Sequence, residues 1–416
     1  MRRALLTGNA AAAWGVRLSD ADYVPAFPIT PQTEIIETLA GWIDSGEFRG
    51  CRMVTLESEH SMLTAAGGAA AAGARVFTAT SSQGLLYAME MIYTIAGWRA
   101  PFVLVNVSRG VATPITLEPD HNDILAARDS GFLQIHCATC QEVLDTILIA
   151  YRLAEDERVR LPVIVNLDGF YLSFTREPVE IPDEDRVRRF LPSCCPGSIR
   201  FLASRPLSEA AVVLGGSTYS YFRYETHLAL MNALGAYDEV SEAFTREFGR
   251  THDTVEAYRA QDADLVFFMI GSFATKAKDA VDRLREIGKP VGLVRPRMLR
   301  PFPEERIRTL LRGKKAVAVI DQNLSMGKGG VLHAELASAL YGQPGMPATL
   351  ASFIGGLGGR DIPPEEFYEI EAVTRRAADE GTTPPTRLLY TKDELRDIRK
   401  LQAIAQAGQI KAKEEP

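Results

Sequence analysis

Short apolar runs alternate with amphipathic stretches through the first half of the chain. Phe102 to Val107 and Leu161 to Leu167 are almost wholly apolar, and Arg75 to Thr80 is β-branched and aromatic, so each reads as a buried strand. Ala4 to Thr7 and Asp22 to Phe27 read as earlier strands, with a helix opening at Asn9. Gln32 to Ile43 carries Ile35, Ile36, Leu39 and Trp42 at helical spacing, and Glu142 to Leu153 is amphipathic. Strands and helices in alternation predict an α/β fold with a doubly wound parallel sheet. From about Glu177 the pattern lapses into a charged, Pro-rich linker that contains Cys194 and Cys195, and 205 to 262 reads as a helical connecting segment. Alternation resumes near Asp262, with strands at Leu265–Ile270, Val291–Val294 and Ala316–Ile320 and a helix at Thr275–Ile287. Lys392 to Pro416 reads as a charged, exposed helical tail able to dock on another subunit. The expected divisions are 1–180, 181–261, 262–385 and 386–416.

The stretch from 55 to 84 departs from this routine. Glu57 and Glu59 precede a run of Ala and Gly, Ser61 to Gly73, with no bulky side chain after Leu63. Such a helix lets another backbone or a flat ligand approach closely. Ser81, Ser82, Gln83 and Gly84 then follow at the carboxyl end of a strand, where open α/β sheets bind ligands. An ordinary, tightly packed βαβ unit would account for the same residues. Phe102 to Val107 ends in Ser108-Arg109-Gly110, where an Arg could hold a carboxylate through paired hydrogen bonds or make a surface salt bridge. Thr30, between Pro28 and Pro31, reads first as a helix N-cap. Asp120, His121 and Asp123 read as residues that order the loop after Gly110.

Size and charge narrow the field. A chain of 416 residues exceeds one ordinary core. A net charge of -7 with both signs mixed argues against a nucleic-acid surface and against a polybasic membrane anchor. No apolar run reaches the ~20 residues that span a bilayer. Gly8, Asn9 and Trp14 interrupt the basic-then-apolar start, so it reads as strand and helix rather than a secretory signal, and the expected location is cytoplasmic. Five cysteines suit a reducing compartment, and the lone Cys137-Ala-Thr-Cys140 pair is weak as a metal or redox site. No metal ligands are expected. Gly355 to Gly359 holds four glycines but is not a dinucleotide fingerprint, which disfavours a nicotinamide-binding subunit.

Residues 55–84, together with Phe27-Pro-Ile-Thr-Pro31 and Val107-Ser-Arg-Gly110, resemble the α subunit of 2-oxoacid:ferredoxin oxidoreductases, the pyruvate synthase family. The resemblance continues in order through Asp120-His-Asn-Asp123, Ala127-Arg-Asp-Ser-Gly-Phe132, Arg300-Pro-Phe-Pro303 and Gly355-Gly-Leu-Gly-Gly-Arg-Asp361. It implies a pyrimidine-type thiamine diphosphate-binding domain followed by a transketolase C-terminal-like α/β domain. It also implies oxidative decarboxylation of a 2-oxoacid to an acyl-CoA, with electrons passed to ferredoxin or a related acceptor.

By the same resemblance, Glu59 is the catalytic carboxyl group that shares a proton with the cofactor's aminopyrimidine, and Thr30 and Arg109 bind the 2-oxoacid. Ser82 and Gln83 join Glu59 on the cofactor side. The chain lacks the Gly-Asp-Gly and Asn metal segment of thiamine enzymes and the repeated CxxCxxC runs of cluster proteins. Thiamine diphosphate would therefore be shared with a β subunit, with Mg2+ and [4Fe–4S] clusters on partner subunits. A δ subunit would carry ferredoxin-like clusters, a γ subunit would handle CoA, and the co-substrate would be CoA. Pyruvate is the default substrate. Gly110 and the lack of a nearby Trp suggest room for a bulkier 2-oxoacid such as phenylglyoxylate, and a non-catalytic scaffold is the remaining alternative.

Overall fold

The computed structural model describes residues 2–193, 202–208 and 212–414. The Cys194–Cys195 pair lies outside these. The expected α/β architecture is present as two mainly parallel sheets flanked by helices. The first sheet runs in the order Met298–Arg300, Leu133–His136, Val163–Asp168, Val103–Ser108, Phe77–Thr80. A parallel bridge between Tyr23 and Val76 continues it into the paired strands Tyr23–Ala26 and Arg52–Thr55. The central strands are buried at every position, which explains why they are mostly apolar rather than alternating, with Asn106 and Asn166 as buried polar exceptions that bond each other at 2.9 Å. Each crosses over through a helix, and the Ala- and Gly-rich helix Glu59–Ala71 packs on the helix Met89–Trp98. A Cβ on Gly67 would stand 2.6 Å from Ile95 Cγ1, so the small residues allow close helix packing.

The second sheet runs Arg387–Leu388, Thr349–Ile354, Ala316–Asp321, Leu265–Phe268, Val291–Pro296, Val255–Tyr258, with the last strand antiparallel. Its carboxyl strand ends meet those of the first sheet: Ser272 donates its backbone N–H to Asp168 at 2.8 Å, and His121 donates its own to the Gln322 carbonyl at 2.8 Å. The crevice where such folds hold ligands is thus shared by both sheets.

Three short strands differ from the sequence reading. Arg176–Ile181, expected as the start of a linker, pairs antiparallel with Arg2–Thr7, and Glu184–Phe190 follows as a helix. Val255–Tyr258, expected within a helical connection, extends the second sheet. Met298–Arg300 leaves the second unit to pair with Leu133–His136 of the first. The connecting segment itself is dominated by the 33-residue helix Gly216–Phe248. Its buried residues include Ala233, Tyr237, Val240 and Phe244, spaced at three and four, which is how it lies on the first sheet's helices.

Behind the crevice, Arg295 and Arg297 are buried between the two units. Arg295 donates to Glu142 at 2.6 Å and to Glu256 at 2.7 Å, while Arg297 donates to Tyr237 and Thr146 at 3.0 Å. The tail helix Lys392–Glu414 is tethered at its start by Arg360, which bridges Glu394 and Glu366. Among the described residues no helix is long and apolar enough to cross a membrane.

Candidate active site

Glu59 is the first residue of the Ala- and Gly-rich helix, whose start is capped by Ser58 accepting from the Ser61 backbone N–H at 3.2 Å. Its side chain is 6% exposed and makes no hydrogen bond among the described residues. Gly84 stands directly against it: a Cβ there would lie 2.5 Å from both Glu59 Oε1 and Thr80 Oγ1. The competing carboxylate, Glu57, is exposed and accepts a short hydrogen bond from Ser61, which holds its pKa below the usual range. The two glutamates of the sequence motif therefore occupy different environments, one packed inward against Gly84 and one in solvent.

From Gly84 the chain of contacts runs to Arg109. Ser82 takes a left-handed φ of 45° and donates its hydroxyl to Gln83 Oε1 at 2.7 Å and to the Gly110 carbonyl at 3.0 Å. Arg109 donates to the same Gln83 oxygen at 3.3 Å, and burial lowers the guanidinium pKa against the pull of Asp123. Asp123 fastens these loops together. Its carboxylate accepts the backbone N–H of Ser82 at 3.0 Å, the Ser108 hydroxyl at 2.6 Å, the Asn106 amide at 3.1 Å and the Arg109 N–H at 3.4 Å. Burial pushes its pKa up, opposed by the Ser108 and Asn106 hydrogen bonds. Sequence reasoning gave Asp123 a general loop-ordering task and missed this hub; its place in His121-Asn-Asp-Ile-Leu125, just before an apolar pair, was the available signal.

A second buried cluster lies alongside. His121 Nε2 is 2.7 Å from Asp168 Oδ1, and Asp168 also accepts the backbone and hydroxyl of Ser272. Burial disfavours both charges, but the ion pair outweighs it, raising the His121 pKa and lowering that of Asp168. Gly271, at φ 77°, leaves room for this pair, since a Cβ would stand 2.8 Å from the His121 ring. His136, with ring centroid 5.6 Å from that of His121, is pushed down to about 3 by burial and by the neighbouring positive charge, so it is neutral. The His121–Asp168 pair therefore ties the two units together, Asp168 through Ser272 and His121 through its backbone N–H on the Gln322 carbonyl.

Thr30 is not a helix cap. The helix begins at Thr33 with Gln32 at the cap position, and Thr30 is exposed before Pro31. Pro31 packs over Gly169, where a Cβ would be 2.9 Å from its Cγ and 2.6 Å from the Ser108 carbonyl oxygen, so Thr30 is next to the strand end that carries Arg109. Cys137 and Cys140 are free, buried thiols, and burial pushes Cys137 up to about 12. Among the described residues no group of three or more His, Cys, Asp or Glu could hold a metal ion.

These residues fit a polar, flat cofactor at Glu59. Thr80 Oγ1, Ser81 Oγ, Gln83 Nε2 and Arg109 Nε are all buried without a hydrogen-bond partner among the described residues, and Thr80 borders the Glu59–Gly84 contact. Buried polar atoms are rarely left unpaired, so four at two neighbouring strand ends, three at or just after the end of Phe77–Thr80 and one after Val103–Ser108, mark a candidate ligand site.

The thiamine diphosphate-binding model of pyruvate flavodoxin/ferredoxin oxidoreductases matches residues 15–242, and the pyruvate:ferredoxin oxidoreductase core domain II model matches 263–367. The chain is 38% identical over 379 residues to pyruvate synthase subunit PorA of Pyrococcus abyssi, covering 91% of this chain and 95% of the relative. It is 40% identical over 370 residues to the subunit of that name from Methanothermobacter thermautotrophicus, covering 88% and 94%. Ketoisovalerate oxidoreductase subunit VorA of Pyrococcus horikoshii is 38% identical over 378 residues, covering 91% and 95%. Among solved structures, a 2-oxoglutarate:ferredoxin oxidoreductase from Magnetococcus marinus, with 2-oxoglutarate, coenzyme A and succinyl-CoA bound, superposes with a TM-score of 0.67 at 19% identity. That match covers 91% of this chain and 65% of the solved one, and the likeness is one of fold.

Proposed function

This chain belongs to the 2-oxoacid:ferredoxin oxidoreductase family as an α subunit, and we propose that it supplies half of the active site that oxidatively decarboxylates a 2-oxoacid. The reaction releases carbon dioxide, joins the acyl group to CoA and passes the electrons to ferredoxin or a related acceptor. The observation that carries this reading is the inward-packed carboxyl of Glu59 against Gly84, near four partnerless buried polar atoms, one of them Arg109 Nε.

Thiamine diphosphate, when bound, supplies the carbon nucleophile that adds to the 2-oxoacid carbonyl. Glu59 holds and returns a proton at Oε1, the work of a general acid–base carboxyl kept from solvent. Arg109 binds the substrate carboxylate, for which a half-buried guanidinium already steadied by Gln83 is suited. Thr30 lies at the mouth and offers its hydroxyl to the same substrate. Ser82 holds Gln83, and Gln83 presents its free Nε2 to the cofactor side.

The rest of the site comes from partner chains: a β subunit holding the diphosphate with Mg2+ and a cluster, and γ and δ subunits for CoA and electrons. Exposed apolar side chains support a half-site: Tyr87, just after Gly84, is 62% exposed, and Ile115 and Leu117, on the loop after Gly110, are 79% and 45% exposed, apolar surface that a partner would cover.

Pyruvate is the proposed substrate class, with a branched 2-oxoacid as second reading because a ketoisovalerate oxidoreductase relative at 38% identity is about as similar as the pyruvate synthase relatives at 38% and 40%. Phenylglyoxylate is the third reading; beside Gly110, Thr116 Cγ2 lies 2.5 Å from where a Cβ would be. The test is the complex that co-purifies with this chain. Thiamine and iron should be present, and CoA-dependent acceptor reduction should follow pyruvate, 3-methyl-2-oxobutanoate or phenylglyoxylate. A particle with neither thiamine nor turnover would leave a scaffold. Arg109→Ala should raise the 2-oxoacid KM by about 10²-fold, and an unaltered KM removes that assignment.

A further inference from the structure

The four-glycine string Gly355–Gly359, which matches no nucleotide fingerprint, lies where the second sheet touches the loop from Gly110 to Asp123. Gly359 donates its N–H to the Pro119 carbonyl at 2.7 Å. It does so at φ 75°, with the place of a Cβ only 2.5 Å from Glu118 Cβ and 3.0 Å from Pro119 Cδ. Gly356, at φ 77°, packs its α-carbon against Gln322 and Phe273, and the Gln322 carbonyl accepts His121 N–H. Asn122 Oδ1 accepts the Leu324 N–H at 3.1 Å, a third tie from the second unit to the same loop.

The other side of that loop reaches the substrate residue. Gly110 donates to the Glu118 carbonyl at 3.0 Å, closing the loop on itself next to Arg109. Its far end is Asp123, whose carboxylate receives the Arg109 N–H. Glu118 and Pro119, gripped by Gly359, are therefore one hydrogen bond from the residue that follows Arg109. Both glycines sit in the left-handed region, and at Gly359 a side chain has nowhere to go without moving backbone.

We propose that the Gly355–Gly359 turn of the second unit is a positioning device for the 110–123 loop, setting where Arg109 meets the 2-oxoacid without touching it. This rests on the reading of Arg109 as the carboxylate ligand. The turn contributes contacts rather than chemistry, so it governs substrate binding and leaves the later CoA step alone.

The experiment is Gly359→Ala in the complex purified with its partner subunits. The 2-oxoacid KM should rise by about 10-fold or more while the CoA KM stays put. Amide exchange across 110–123 should quicken. Adding Glu118→Gly, which removes the Cβ that the new methyl strikes, should recover most of the loss, as coupled neighbours do. If Gly359→Ala does not accumulate, Asn122→Ala removes one tie and should raise the 2-oxoacid KM by about threefold to fivefold, the worth of one hydrogen bond. An unchanged 2-oxoacid KM alongside a raised one in Arg109→Ala overturns the positioning role and spares the Arg109 assignment. No change in either variant overturns both. Equal rises for 2-oxoacid and CoA without rescue by Glu118→Gly mean general loosening and also overturn it.

Discussion

Gly84 is where a single methyl group should be felt most. Its missing Cβ is the space that Glu59 and Thr80 occupy, so Gly84→Ala must push the Glu59 carboxyl out of place. We expect turnover to fall by about 10²-fold with the fold intact, as for other misplacements of about 1 Å, and circular dichroism with single-turnover kinetics would check it. Full turnover in Gly84→Ala would mean that the Glu59 position is not critical. The choice of Glu59 over Glu57 was legible in the sequence only through the family motif, since both are acidic residues near a helix start. The packing that separates them comes from Gly84, 25 positions later, and sequence spacing does not report such a contact. Thr30 shows the opposite failure: Thr before Pro is a good local cap signal, yet the helix starts at Thr33 because Gln32 and Pro31 are held by other contacts. Gln32 donates to the Phe27 carbonyl and Pro31 accepts from Asn9.

At the level of elements, the central strands were readable because burial on both faces writes itself as a mostly apolar run, interrupted by Asn106 and Asn166. The edge and crossing strands were not. Arg176–Ile181 buries Val179 and Ile181 alone, contains Pro178, and pairs at an edge, where Pro is tolerated and charged residues prevail. Met298–Arg300 is three residues long and ends in an arginine, too short for any period to emerge. That crossing strand brings Arg297 with it, and Arg295 on the preceding strand lies beside Glu142 of the helix Cys140–Ala154. Burial opposes charge on Glu142, but the two guanidinium groups win and hold its pKa at about 2. A carboxyl with a lowered folded pKa stabilises fully above its unfolded value of about 4.5 and loses that contribution as pH falls toward about 2. Glu142→Gln should therefore cost about 3 kcal/mol at neutral pH, by leaving arginine charge buried without its partner. The gap from wild type should close between about pH 4.5 and pH 2 in denaturant titrations. A gap independent of pH would mean that packing, not charge, sets the loss.

For the whole molecule, the two sheets face each other with their carboxyl ends together, and the candidate site lies at the strand ends of the first, beside that seam. The ion pair of His121 with Asp168, closed by Ser272, makes the orientation of the two units part of the site's construction. Alternating elements made both sheets legible; their mutual placement was not, because it depends on single polar contacts between residues more than a hundred positions apart, such as Asp168 and Ser272. The molecule also carries surface that it does not cover itself. Tyr219, Tyr221, Phe222 and Tyr224 are each about half exposed or more on the helix Gly216–Phe248, as expected of a subunit. The account stands or falls on Glu59. In the assembled complex, Glu59→Gln should keep its subunits and its thiamine content, yet turn over a 2-oxoacid about 10²–10⁴ times more slowly. Undiminished turnover at equal thiamine content would contradict it and leave this chain as the wall of someone else's active site.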